Sequence, residues 1–184
     1  MTAGPSPWAV LNFTMECDFD VSSINAFVTA CQSAAGIMRS ADDDAMRAHS
    51  IVAHQTAQLL HECGEDLENV SQVADGLAEI FDSLKSASED LSWWVDAAQK
   101  EYGYIASDGA ASGMIASYAD GFGSVELPPD RYDELVDAFV ELRHRAEIQK
   151  EKVDRAEYVF FLELNKPEID TYEQIIAPGF DAFK

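Results

Sequence analysis

The chain is poor in cations: 12 Lys and Arg stand against 34 Asp and Glu, for a formal net charge of −22 over 184 residues. Gripping nucleic acid requires clustered Lys and Arg to neutralise phosphates, so direct DNA or RNA binding is not expected. The same deficit argues against docking on an anionic membrane. Cysteine is scarce as well. Cys17, Cys31 and Cys63 fit neither a disulfide framework nor a C-x-x-C metal site, and each falls on an apolar face, as buried reduced thiols do. No run approaches the ~18 apolar residues of a membrane span, and no basic segment followed by an apolar one opens the chain in the manner of a Sec signal. Cytoplasmic synthesis is the expectation, and export without a Sec signal, by a route that carries folded helical cargo, stays open.

Catalytic equipment is equally thin. No Gly-rich phosphate loop follows a strand, and no Ser or Cys sits in a nucleophile motif. His54, His61 and Glu65 outline a surface metal site with too few ligands to close it. Glu141 and His144 form a single Glu-x-x-His, where a di-iron bundle needs two such pairs and further inward glutamates. The expectation is a chain without metal, cofactor or enzymatic activity.

What the chain has in quantity is helical periodicity. With 47% hydrophobic residues it is long enough for one domain with a real core. From Asp43 to Tyr102 apolar residues recur every seven positions: Met46, Ala53, Leu60, Leu67, Ala74, Phe81, Ser88 and Val95 in one row, His49, Thr56, Cys63, Val70, Leu77, Leu84, Leu91 and Ala98 in the next. A third row, from Val52 and Leu59 to Ala87 and Trp94, makes the apolar face too wide for a two-stranded seam and suited to a bundle. About 58 residues at 1.5 Å each would give a rod of roughly 85 Å if unbroken, and such a face needs companion helices. Gly64 and Gly76 each weaken that helix by about 1 kcal/mol relative to Ala. Since the heptad phase survives both, a bend at most is expected there.

Around this helix the elements fall in order. Met1–Pro7 reads as a loose opening. Over Trp8–Asp20 the period changes to two, with Leu11, Phe13, Met15, Cys17 and Phe19 alternating with polar residues, which predicts a half-buried strand with no evident partner. Asp20, Ser22 or Ser23 can cap a first helix whose stripe is Ile24, Phe27, Val28, Cys31, Ala34, Ala35 and Met38. Ser40–Asp44, with three successive Asp, is expected to end that helix and open the long one. Residues 103–129, with five glycines up to Gly123 and a Pro pair at Pro128 and Pro129, read as a Gly-rich crossover. A last helix from about Asp130 to Leu164 carries Leu135, Phe139, Leu142, Ala146, Val153, Ala156 and Phe160 on one face and stops at Asn165–Pro167. The fold expected is all-α: an elongated antiparallel bundle built on one long helix, preceded by a short strand. Its organisation is a loose segment and strand over 1–20, a bundle over 21–165, and a tail over 166–184 with Ile175, Ile176, Phe180 and Phe183 held against the body.

An extended opening, an Ala-rich helix and a long helix with tryptophan near its end resemble the helical WXG and LXG-type modules of type VII (ESX) secretion in Gram-positive bacteria. The continuation Gly103-Tyr-Ile-Ala-Ser-Asp-Gly109 matches the G-x-I-x-x-D-G segment of such modules, and Tyr104 with Asp108 matches their Y-x-x-x-D/E export signal. The chain departs from the pattern after Trp93 and Trp94, where Val95 and Asp96 leave no W-x-G turn. The resemblance implies a non-enzymatic helical interaction protein, a substrate or partner of that secretion system. Tyr104 and Asp108 are then candidates for export or recognition, and Trp93, Trp94, Tyr158 and Phe161 for partner contact. The partner is another protein, helical or basic, with self-association open. The alternative is an acidic inhibitor or immunity protein that mimics nucleic-acid charge and masks a basic surface.

Overall fold

In the computed structural model, residues 9–14, 21–53 and 58–170 are described. They form β1 (Val10–Thr14), α1 (Val21–Val52), α2 (Gln58–Ala111), β2 (Ile115–Ala119), β3 (Phe122–Glu126) and α3 (Tyr132–Asp170), with one 3-10 turn at Pro129–Arg131 before α3. The chain is mostly helical, but it is not all-α: a three-stranded antiparallel sheet in the order β1-β3-β2 is present. Two compact units are formed, one from Met1–Val21 and Asp90–Tyr158, the other from Ser22–Glu89 and Val159–Lys184.

In the second unit α1 turns its predicted stripe inward, burying Ile24, Cys31 and Ala35 and half-burying Phe27, Val28, Ala34 and Met38. Burial raises the Cys31 thiol above its ordinary pKa, which favours an inert core role. The helix does not end at Ser40–Asp44. Inside it, Ser40 Oγ donates to Gly36 O at 3.1 Å, Arg47 donates to Asp44 at 3.1 Å, and Asp42 accepts from Ser71 Oγ of α2. Partners for these polar groups remove the incentive to break the helix, so the modest helix cost of Asp is overridden. α1 instead runs on to Val52, and α2 begins at Gln58. Arg39 pairs with Asp82, Asp42 with Ser71, and the His49 ring lies 3.6 Å from where a Cβ on Gly64 would stand; rising numbers on α1 meet falling numbers on α2, so they run antiparallel. α2 is continuous through Gly64 and Gly76. The heptad rows hold inward from Ala74 onward, whereas Met46 and Val70 are exposed.

The first unit is a sheet laid on two helix segments. Leu11 and Phe13 of β1, Val125 and Leu127, Tyr102, Ile105 and Ala106 of α2, and Leu135, Phe139, Leu142 and Ala146 of α3 form one core with Ala9 and Met114. The seven residues expected on the inner face of α3 are all buried. The strand predicted near the start is therefore paired within its own chain, to β3, with Leu11 opposite Val125 and Phe13 opposite Gly123.

Residues 103–129 are not a crossover loop. α2 continues through Gly103 and Gly109 to Ala111 and ends in a Schellman cap, in which Met114 N donates to Gly109 O at 2.9 Å and Gly113 N to Ala110 O at 3.0 Å, with Gly113 at φ 89°. β2 and β3 then form a two-residue hairpin. Its turn residues, Asp120 at φ 54° and Gly121 at φ 81°, have the left-handed geometry that matches strand twist. α3 starts at Tyr132 and runs past Asn165–Pro167 to Asp170, so the expected stop is displaced; Asn165 Nδ2 donates to Phe161 O at 2.7 Å one turn back. Met1–Pro7, Cys17 and the tail with Ile175, Ile176, Phe180 and Phe183 lie outside the described residues.

Candidate partner-binding surfaces

The α2 and α3 segments of the first unit run antiparallel and are joined by Arg145. Its guanidinium donates to Glu101 Oε1 and to Asp108 Oδ2, each at 2.7 Å, and those bonds, Asp108's first, hold Arg145 above its ordinary pKa. Asp108 is thus tied to α3, and it lies on a helix and not in a loop. Tyr104, one turn earlier, is 61% exposed. Ile105 is fully buried in the core, and a Cβ on Gly109 would meet Val125 Cγ1 at 3.0 Å.

Trp93 is 60% exposed, with its ring centroid 4.3 Å from that of Trp94 at 79°, an edge-to-face pair. Trp94 is half-buried beneath Lys152 Nζ, 5.0 Å from its ring centre. Tyr158 on α3 is 64% exposed. In the second unit Phe161 lies 5.9 Å from Phe160, which packs edge-on against Phe27 at 5.8 Å. The four proposed contact residues are therefore outward or partly outward, on separate stretches of α2 and α3.

His54 and His61 fall outside the described side chains, and among the described residues no group of three or more His, Cys, Asp or Glu is placed to hold a metal. Glu141 and His144 are both exposed. Among the described residues no helix is long and apolar enough to cross a membrane.

One feature was not visible in the sequence. An open groove of about 500 Å³ is lined by all five residues of β1, by Tyr102, and by Arg143, Ala146, Glu147 and Lys150 of α3. The spacing 143, 147, 150 marks a polar row beside the buried row of α3, but that a strand borders it depends on long-range pairing. No protein-family model, curated protein or solved structure matches the chain.

Proposed function

We propose that this chain is a non-enzymatic helical interaction protein, an elongated bundle that binds another helical protein through the surface centred on Trp93. The observation that carries this reading is the exposure of Trp93 beside a half-buried Trp94. An indole left 60% in water gains from burial on association, and tryptophan is enriched at the energetic centres of interfaces. Association with type VII secretion is the finer form of the proposal, supported by the G-x-I-x-x-D-G match and by an exposed Tyr104 in the position of the export signal.

Co-expression with helical proteins encoded beside its gene tests this. The wild-type chain should co-purify with one of them, and Trp93→Ala should lose the complex while keeping its melting temperature. Tyr104→Ala should lower the exported fraction without lowering stability. A neighbour complex that survives Trp93→Ala unchanged refutes the proposed surface.

A second reading is favoured by one observation. Glu68, Asp75, Asp82 and Glu89 recur at seven-residue spacing along α2, a row of carboxylates suited to a basic nuclease or nucleic-acid-binding surface. Asp82 and Glu89 are partly neutralised by Arg39 and Lys85, which makes this the weaker of the two. Stoichiometric inhibition of a nuclease encoded nearby would select it.

A further inference from the structure

Over residues 159–164 of α3 every position except Glu163 is apolar, the all-round pattern of a helix covered on more than one side. In the second unit Phe160 is the inward residue, 6% exposed and edge-on to Phe27 of α1. At about 100° per residue Leu162 lies about 200° from Phe160, on the outer side of the helix, with Val159 and Phe161 about 100° to either hand. Leu162 is 52% exposed, Val159 42% and Phe161 37%. Monomeric proteins seldom leave adjoining large apolar side chains in water, so this outer face marks a contact.

The chain that continues from this helix has the apolar residues and the length to make that contact. α3 ends at Asp170, and residues 171–184, which lie outside the described residues, include Ile175, Ile176, Phe180 and Phe183. From Asp170 back to Leu162 is eight helical residues, about 12 Å. A reversal takes about four residues, and the five steps from Ile175 to Phe180 then span up to about 17 Å, enough to return to Leu162. A segment tethered this closely acts at an effective concentration on the order of millimolar. A second copy is the poorer occupant. It would bring a net charge of −22 to the face, whereas residues 171–184 bring two carboxylates, Glu173 and Asp181, and one cation, Lys184.

We propose that residues 171–184 reverse direction after α3 and cover its outer face, seating Phe180 and Phe183 over Val159, Phe161 and Leu162, with Ile175 and Ile176 beside the last turns of the helix. Phe161 then serves the chain's own fold, and a partner reaches it only by displacing this segment. The inference does not depend on the surface centred on Trp93, and either can fail without the other.

The test uses the full chain, with Leu and Val methyls and Phe rings labelled for NMR and a parallel chymotrypsin assay. Nuclear Overhauser contacts should join the Phe180 or Phe183 ring to the Leu162 or Val159 methyls, and in a mixture of labelled and unlabelled chains they should arise within one chain. Leu162→Asp should abolish those contacts and speed cleavage after Tyr172 at least about tenfold, because cutting tracks the fraction of chains in which the segment is released. Since Leu162 is already 52% exposed, the helix itself should tolerate the change. Phe180→Asp should speed cleavage equally, and it reads the same contact from the other side even if Leu162→Asp lowers stability. Val140→Asp, at a 56% exposed site of α3 in the first unit, should leave the rate within about twofold of wild type. The proposal is overturned if neither ring contacts Leu162 or Val159, or if the wild-type chain is cut as fast as Leu162→Asp. It is also overturned if the contacts in the mixed sample run between chains, since a second copy then covers the face.

Discussion

Gly123 is the position where the sheet is least forgiving. A Cβ built there would stand 1.9 Å from Phe13 Cε2 and 2.5 Å from Cζ, because the Phe13 ring lies directly across its cross-strand partner. Gly123→Ala must therefore drive the ring from a site where it is 5% exposed and where its centroid sits 5.1 Å from that of Tyr102. The loss is the burial of one Phe, about 1.5–3 kcal/mol, plus about 0.5–1.5 kcal/mol for the aromatic pair. Replacing a strand glycine returns about 0.5–1 kcal/mol in chain entropy, which leaves a net cost centred on about 2–3 kcal/mol. Urea unfolding of a double-mutant cycle with Phe13→Leu reads the mechanism directly. If the clash is the cause, Gly123→Ala costs little in the Phe13→Leu background, and the coupling is about 2 kcal/mol. Equal costs in both backgrounds, or a single-variant cost under about 0.5 kcal/mol, would refute the packing described for β1 and β3.

Leu91 is fully buried in the first unit, and Leu91→Ala should cost about 2–5 kcal/mol by chemical denaturation. Arg145→Met should cost about 1–2 kcal/mol, since it strands the partly buried Glu101, whereas Asp108→Asn, whose side chain is 54% exposed and well screened, should cost under about 1 kcal/mol. Burial first, then Asp154 and Tyr118, raises the Tyr102 pKa above its ordinary value of 10.0. The folded state then keeps a proton that the unfolded state has lost, so this contribution is whole below the unfolded pKa and falls as pH rises towards the folded one. Tyr102→Phe should accordingly flatten the alkaline decline of stability above about pH 10, followed as melting temperature against pH.

Strong local patterns in the sequence were legible. The α3 row from Leu135 to Ala146 and the alternation of Leu11 and Phe13 each express one element facing one core, and burial follows them residue by residue. Pairing was not legible, because the partner of β1 lies more than a hundred residues away in a stretch that hides its own alternation. The inward positions of the hairpin are Ala116, Tyr118, Gly123 and Val125, and two of those four carry almost no hydrophobic signature. Small residues there read as loop, although Asp120-Gly121 is a strong hairpin signal. The α1–α2 junction failed for the opposite reason. Three Asp residues at 42–44 look like a helix start, while no Gly or Pro marks residues 53–57. Of the candidate site, the exposed Trp93 and Tyr158 were legible as excess apolar residues, and the groove beside β1 was not.

The segment Gly103 to Asp108 and Gly109 invites recognition as a signal, yet most of it has a packing role that accounts for its residues. Ile105 is fully buried in the core, Gly109 admits the Val125 methyls, and Asp108 ties α2 to α3 through Arg145. A Cβ on Gly103 would make an ordinary 3.8 Å contact with the Tyr118 ring, so that position tolerates exchange. Ile105, Gly109 and Asp108 are thus already engaged inside the first unit, Asp108 through the bond from Arg145 to its Oδ2. Tyr104 differs. At 61% exposure it presents an amphipathic ring to solvent one turn before that ion pair. Whatever recognition this segment carries therefore rests on Tyr104, and Asp108→Asn should leave it largely intact if the aspartate's task is to hold the two helices together.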